Sequence, residues 1–245
     1  MVWRMPAETA PQSRIWMAFP REGDVMGDSS AARAATYDAW TAVAHAILPF
    51  EPVTMVVDPS EMERSRAMLD SAIDIVEAPL NDFWMRDFGP TFVIDDETGA
   101  LGGVDWIFNA WGQGADCERD ALIAERVLGE VAATRIPSLL VNEGGGIHVD
   151  GEGTVLVTET VQLDPDRNPW ATKERVEEEL KRTLGVETVI WLPRGLTRDY
   201  DELGTRGHVD IVATFAAPGR VLVHAQHDPA HPDHDVMPEI YAALR

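Results

Sequence analysis

Residues 143–159 read EGGGIHVDGEGTVLVTE. Three consecutive glycines let the backbone turn in ways other residues resist and let a neighbour approach closely. Glu143 and Asp150 flank them, and the branched apolar run from Thr154 to about Thr160 predicts a strand. The same order, glycine with polar or charged residues and then an apolar hairpin strand, recurs in RDFGPTFVID from Arg86 and in RGHVDIVATFAAPGRVLVH from Arg206. SRIWMAFP from Ser13 is a weaker, earlier copy. Starts spaced by roughly 60 residues, somewhat above the usual solenoid range, predict a few ββαβ units arranged radially. The fold class is therefore α/β. Such a ring puts the start of each unit's strand at its centre, so the charged residues found there read as one shared site. By the same count a further copy would begin near about position 265 to 270, so one unit is expected to be missing.

Outward from these segments, helical and strand-like patterns alternate. Ser29 and Ser30 cap a helix running to about Leu48, with Tyr37, Trp40, Val43, Ala44 and Ile47 as its apolar stripe. Val53 to Val57 is a buried strand, Pro59 and Ser60 open a helix to about Ala72, and Ile73 to Val76 is extended. Thr91 to Ile94 and Val104 to Phe108 are strands. A helix from about Glu118 to Ala132 follows, then a strand near Leu139. Lys173 to Leu184 is helical and Thr188 to Leu192 extended. Ile211 to Phe215 and Val221 to Val223 form a hairpin through Pro218 and Gly219, and Pro238 opens a last helix.

The totals bound the rest. The chain has 245 residues, 45% hydrophobic and 25% charged, which is ordinary for a folded protein. No apolar run approaches the roughly 20 residues of a membrane span, and the N-terminal stretch lacks a signal-peptide core, so a cytoplasmic protein without membrane partners is expected. The lone cysteine, Cys117, precludes an internal disulfide. With 42 acidic against 20 basic residues the net charge is −22, which repels phosphate backbones and argues against nucleic acid. It would draw a small cation, although acidity for solubility alone is the stronger account of it.

Four segments hold candidate chemistry. In NDFWMRDFGP, from Asn81, Asp87 is read as a buried carboxylate gripping a cation, because a carboxylate takes two parallel N–H bonds from a planar guanidinium; the bland alternative is a capped turn with a surface ion pair. Around the glycines, Glu143 and Asp150 offer further carboxylates, and the P-loop lysine and spacing are absent. In Gly207-His208-Val209-Asp210, a strand would turn His208 and Asp210 to one side, an imidazole beside a carboxylate suited to proton transfer; a structural hydrogen-bonded pair fits as well. The histidines from His224 to His234 suggest a metal tract, but Pro229 and Pro232 break helical ligand spacing, no cysteine cluster matches, and no metal or other cofactor is expected. Cys117 lies near a predicted helix start, where a thiolate is favoured, yet Asp116, Glu118 and Asp120 oppose one.

Taken in order, MPAETAPQSRIWMAFP from Met5, NDFWMRDFGPTFV from Asn81, FNAWG from Phe108, EGGGIHVDGEGTVLVTE from Glu143 and GHVDIVATF from Gly207 resemble the agmatine deiminases and their bacterial peptidylarginine deiminase relatives. The resemblance spans nearly the whole chain. It implies a pentein-type α/β propeller of five ββαβ modules, about four of them present in a single deiminase-type domain over 1–245. It implies metal-free hydrolysis of a guanidinium, with agmatine giving N-carbamoylputrescine and ammonia. By the same resemblance Asp87 and Asp210 hold the guanidinium nitrogens, Glu143 supports them, His208 is general acid and base, and Trp84, Trp111 and Asp150 line the substrate pocket. The family's nucleophilic cysteine belongs to a last module that nothing in this sequence matches. The expectation is thus a C-terminally incomplete catalyst without its nucleophile, inactive or severely impaired, with an exposed edge that favours association between copies. Peptidyl-arginine is the rival substrate. A non-catalytic remnant that binds guanidinium or amine ligands is the rival class, and a metal hydrolase built on the histidine tract stands third.

Overall fold

The protein is described by a computed structural model covering residues 2–23, 26–27, 29–202 and 204–245. It divides into two compact units, one built from 11–86 and 116–123, the other from 1–10, 87–115 and 124–245. Short β1 (Trp3–Arg4) belongs to the larger unit.

The smaller unit carries β2 (Ile15–Ala18), α1 (Ser30–Ile47), β3 (Val53–Val57), α2 (Met62–Met68) and β4 (Asp74–Glu77). Its three strands are all parallel, in the order β2-β3-β4. This is the weak copy that starts at Ser13, and among the described residues it differs from the expected ββαβ unit by having no antiparallel hairpin. Ser29 caps α1 as anticipated, its Oγ accepting the Ala32 N–H at 3.0 Å. The apolar stripe of α1 is narrower than expected: Tyr37 and Ala44 are buried, whereas Val43 is exposed. The next helix ends at Met68, because Leu69 turns extended and Asp70 caps the following turn through the Ala72 N–H.

The larger unit repeats the predicted module. After a single helical turn, α3 (Met85–Phe88), come β5 (Thr91–Asp95), β6 (Leu101–Ile107), α4 (Ile123–Glu130) and β7 (Thr134–Val141). β5 pairs antiparallel with β6, β6 parallel with β7, and β1 adds to the outer side of β5. The second copy runs β8 (Ile147–Val149), β9 (Thr154–Thr158), α5 (Glu159–Gln162), α6 (Lys173–Leu184) and β10 (Thr188–Leu192), with β8 antiparallel and β10 parallel to β9. The third holds the antiparallel pair β11 (Ala213–Ala217) and β12 (Arg220–Val223), then α7 (Asp233–Ala243). The anticipated unit thus occurs twice in full, and its hairpin and helix a third time.

Burial explains the pairing. Val93, Val104, Val155, Val157, Val176, Leu180 and Leu184 share one core, into which α6 packs its apolar stripe over two strand pairs. Apolar side chains of this size gain roughly 1.5–3 kcal/mol each on full burial. Pro137 is tolerated in β7 because that strand lies at its sheet's edge. α7 starts at Asp233, five positions before the expected Pro238, because Asp233 and Asp235 suit a helix N-terminus and the proline forfeits a single backbone bond. Among the described residues no helix is long and apolar enough to cross a membrane.

Candidate active site

The predicted cluster assembles from the entries of three successive hairpins. Asp87 stands just before β5, Glu143 before β8 and His208 before β11. All three side chains are buried. His208 Nε2 lies 3.2 Å from Glu143 Oε2, and its Nδ1 lies 3.8 Å from Asp87 Oδ1. The imidazole is therefore held between two carboxylates, with its closer partner Glu143.

His208 and Asp210 share a side, but not for the reason their spacing suggested. Residues 209–212 form a turn directly after His208, closed by the Val212 and Ala213 N–H groups on the Val209 carbonyl, and β11 begins only at Ala213. The expected strand from Ile211 is thus shifted. The turn brings both side chains over Gly145, where a Cβ would lie within 2.9 Å of Asp210 Oδ2 and closer still to His208 Nδ1. The triple glycine accommodates an imidazole and a carboxylate. Residues 144–146 form a single 3-10 turn, and the Gly145 N–H donates to Asp87 Oδ1 at 3.2 Å.

Electrostatics drive the groups apart. Burial raises the Asp87 carboxyl above its usual range; His208 and the Trp111 N–H oppose this without reversing it. Burial also works against the Glu143 carboxylate, yet the bond to His208 and the Arg167 guanidinium together hold it below the ordinary glutamate range. Burial penalises the His208 cation, but Glu143, Asp87 and Asp210 together raise its pKa above the free imidazole value. The result is a glutamate held toward its ionised form against an imidazole that keeps its proton more readily than usual, next to a carboxyl whose ionisation burial opposes. Divergent pKa values of this kind are suited to acid–base work.

The remaining predicted residues are placed differently. Trp111 donates its indole N–H to Asp87 Oδ2 at 3.0 Å, so it positions a carboxylate. It does so from a left-handed turn in which Ala110, Trp111 and Gly112 have φ of 54°, 57° and 72°. Asp150 is buried at the far end of β8, where Oδ1 accepts the Glu152 and Thr154 N–H groups at 2.8 and 2.9 Å and closes the β8–β9 turn. The bonds of its carboxylate are thus those of a turn cap. Trp84 belongs to the smaller unit, half-exposed and packed on Phe83 and Trp40. Cys117 also lies in that unit, in a loop ahead of the 3-10 turn at Asp120. Burial and the acidic neighbours Glu118, Asp120 and Asp116 all raise its thiol pKa. Among the described residues no group of His, Cys, Asp and Glu is arranged to hold a metal.

Two supports escaped the sequence. Asp199 gathers the loop before His208: its Oδ2 accepts the Gly207 N–H at 2.7 Å, the His208 N–H at 3.0 Å and the Thr205 hydroxyl at 2.6 Å. Arg167, wholly buried, donates to Glu143 Oε1 at 2.9 Å. Neither belongs to a recognisable motif; an aspartate nine residues before the histidine is the one local hint.

A family model of Porphyromonas-type peptidyl-arginine deiminases matches residues 4–245. A Streptomyces coelicolor protein provisionally named agmatine deiminase is 53% identical over 237 residues, 96% of this chain and 69% of that protein. Agmatine deiminase of Medicago truncatula is 39% identical over 98% of this chain and 66% of its own length. The structure of agmatine deiminase of Enterococcus faecalis superimposes with a TM-score of 0.91 at 37% identity, over 99% of this chain and 66% of that one. The chain thus spans about two thirds of the length of the relatives it matches.

Proposed function

The chain belongs to the Porphyromonas-type peptidyl-arginine deiminase family, and from that premise we propose that it serves the hydrolytic deimination of a guanidinium substrate, agmatine, to N-carbamoylputrescine and ammonia. The observation that carries this reading is the buried pair Asp87 and Glu143 on either side of one buried imidazole, His208, with the exposed carboxylate of Asp210 beside them. A guanidinium is a planar cation whose N–H groups suit carboxylates. The names of relatives 53% and 39% identical favour agmatine over peptidyl-arginine. The family match runs through both units, which supports reading 4–245 as one deiminase-type domain.

Asp87 and Asp210 orient the cation, which removes much of the entropic part of the barrier. The step needs a thiolate that Cys117 does not supply and that the family resemblance assigns to the family's last module; this thiolate would add to the guanidinium carbon, and His208 would protonate the departing nitrogen so that the C–N bond breaks and ammonia leaves. The same imidazole then takes a proton from water, whose oxygen bonds to that carbon while the thiolate is expelled. Glu143 keeps the imidazole oriented throughout. Cys117 is not assigned the attack, since burial and three acidic neighbours disfavour its thiolate. In this reading the chain contributes the grip on the guanidinium and the proton-transfer group, and none of its own thiols is the nucleophile.

Calorimetric titration with agmatine, with ammonia release followed in parallel, tests the proposal. Binding that disappears in Asp87→Asn is expected, and a folded wild-type chain that binds no agmatine would refute the reading. Tighter binding of a blocked arginine peptide would move the substrate to peptidyl-arginine. Ammonia release abolished by Cys117→Ala would overturn the exclusion of that thiol.

A further inference from the structure

We propose that Arg167 is a positioning residue for the acid–base pair, fixing the Glu143 carboxylate and the loop that carries His208 in one register so that Glu143 Oε2 stays against His208 Nε2. The inference rests on the reading of Glu143 and His208 as deiminase machinery.

Arg167 is the one lysine or arginine in the buried set of the described residues, and its side chain has no exposed surface. Its three nitrogens reach three separate segments. Nε donates to Glu143 Oε1 at 2.9 Å, Nη1 to Asp164 Oδ2 at 2.8 Å and Nη2 to the Thr205 carbonyl at 2.8 Å. Glu143 opens the glycine turn under the imidazole. Thr205 lies in the loop gathered by Asp199, and its hydroxyl also accepts the His208 N–H at 3.2 Å. One guanidinium therefore ties down both members of the pair, the carboxylate directly and the imidazole through its own loop. Arg206 meets the same Asp164 at 2.9 Å and fixes the third anchor.

This arrangement divides Glu143 between two uses. Oε1 is engaged by the protein's own guanidinium, which leaves Oε2 for the imidazole. Charge alone does not explain the choice of residue, because a lysine ammonium at the same place is a single point and cannot reach three acceptors in fixed directions. The charged groups facing His208 are Asp87, Glu143 and Asp210, and those facing Glu143 are His208, Arg167 and Asp87. A change at Arg167 therefore reaches the imidazole chiefly through Glu143.

The test is a double-mutant cycle read on the His208 imidazole by NMR titration of the full chain, with Glu143→Gln, Arg167→Lys and the double variant. Glu143→Gln is expected to lower the His208 pKa in the wild-type background and to lose most of that effect in the Arg167→Lys background. An undiminished effect there would overturn the proposal, since a merely structural arginine would leave the coupling intact. Circular dichroism reports whether Arg167→Lys folds. If it does not, Asp164→Asn, which keeps Arg167 but weakens one anchor, is expected to shrink the same effect, and a full-sized effect in that variant overturns the proposal equally. Agmatine titrations on the same samples separate the two readings. Lost coupling in a chain that never binds agmatine sustains the role of Arg167 and refutes the deiminase reading. Normal agmatine binding with undiminished coupling does the reverse.

Discussion

Gly145 and His208 approach so closely that a Cβ on the glycine would stand 2.3 Å from the imidazole Nδ1. No side chain fits there without moving the ring. Gly145→Ala is therefore expected to push His208 off Glu143, at a cost of about 1–3 kcal/mol in stability. Thermal melting would report the stability loss and calorimetry a fall in agmatine affinity. An alanine variant with unchanged affinity and melting would show that the ring relocates freely.

Trp111→Phe keeps the edge-on packing against Phe108, with ring centroids 5.2 Å apart, but removes the N–H from Asp87 Oδ2. Hydrogen bonds to charged groups contribute about 1.5–3 kcal/mol, so agmatine affinity should fall roughly ten- to a hundredfold. Equal affinity in the phenylalanine variant would mean the bond does not matter for Asp87.

Asp87 gives ligand binding a pH dependence of defined sign. Burial raises its pKa in the free protein, and a bound cation favours the ionised form. Agmatine affinity should therefore rise with pH through the range in which free Asp87 loses its proton, with a proton released on binding. Calorimetry in buffers of different ionisation enthalpy would detect that proton. Its absence would indicate a carboxylate already ionised before binding.

Asp120 makes a second pH prediction, for stability. It accepts the Asn81 and Asp82 N–H groups at 2.7 and 3.0 Å, and burial raises its pKa to about 7. The folded state then binds more protons than the unfolded chain between the ordinary aspartate value and about 7, so this group's contribution favours folding at low pH and is lost as pH rises through that window. Glu143 and Asp58, whose values are lowered, act oppositely and lose their contribution on acidification. Melting temperatures across this range should fall less steeply with rising pH in Asp120→Asn than in the wild type. Parallel curves would rule Asp120 out as the source.

The sequence was most legible where burial and periodicity coincide. Lys173 to Leu184 and Thr188 to Leu192 are bounded as expected, because an amphipathic stripe capped by Thr172 and ended by left-handed Gly185 leaves no competing conformation. The turn through Pro218 and Gly219 was legible too, although its first strand runs Ala213–Ala217 and not from Ile211. Alternation misled at His208-Val209-Asp210, where a turn mimics the side-sharing of a strand. The gathering of Asp87, Glu143 and His208 in one place was legible because glycines and polar residues precede apolar strands in each repeat. Arg167 and Asp199 were not, since Arg167 reaches Glu143 and the Thr205 carbonyl 24 and 38 residues away and Asp199 acts within an irregular loop. The turn-capping bonds of Asp150 were not legible either, because they depend on β8 ending at Val149.

The contacts that unite the site join residues far apart along the chain. His208 and Glu143 are separated by 65 positions, and Gly145 and Asp87 by 58. Each hairpin closes over a few residues, so its strands can pair early, whereas links of this span must wait for long loops to close. The imidazole can meet its glutamate only after both neighbouring modules exist. Recognition of the cation is thus among the last properties that folding confers, and agmatine binding would report completed folding more faithfully than secondary-structure content.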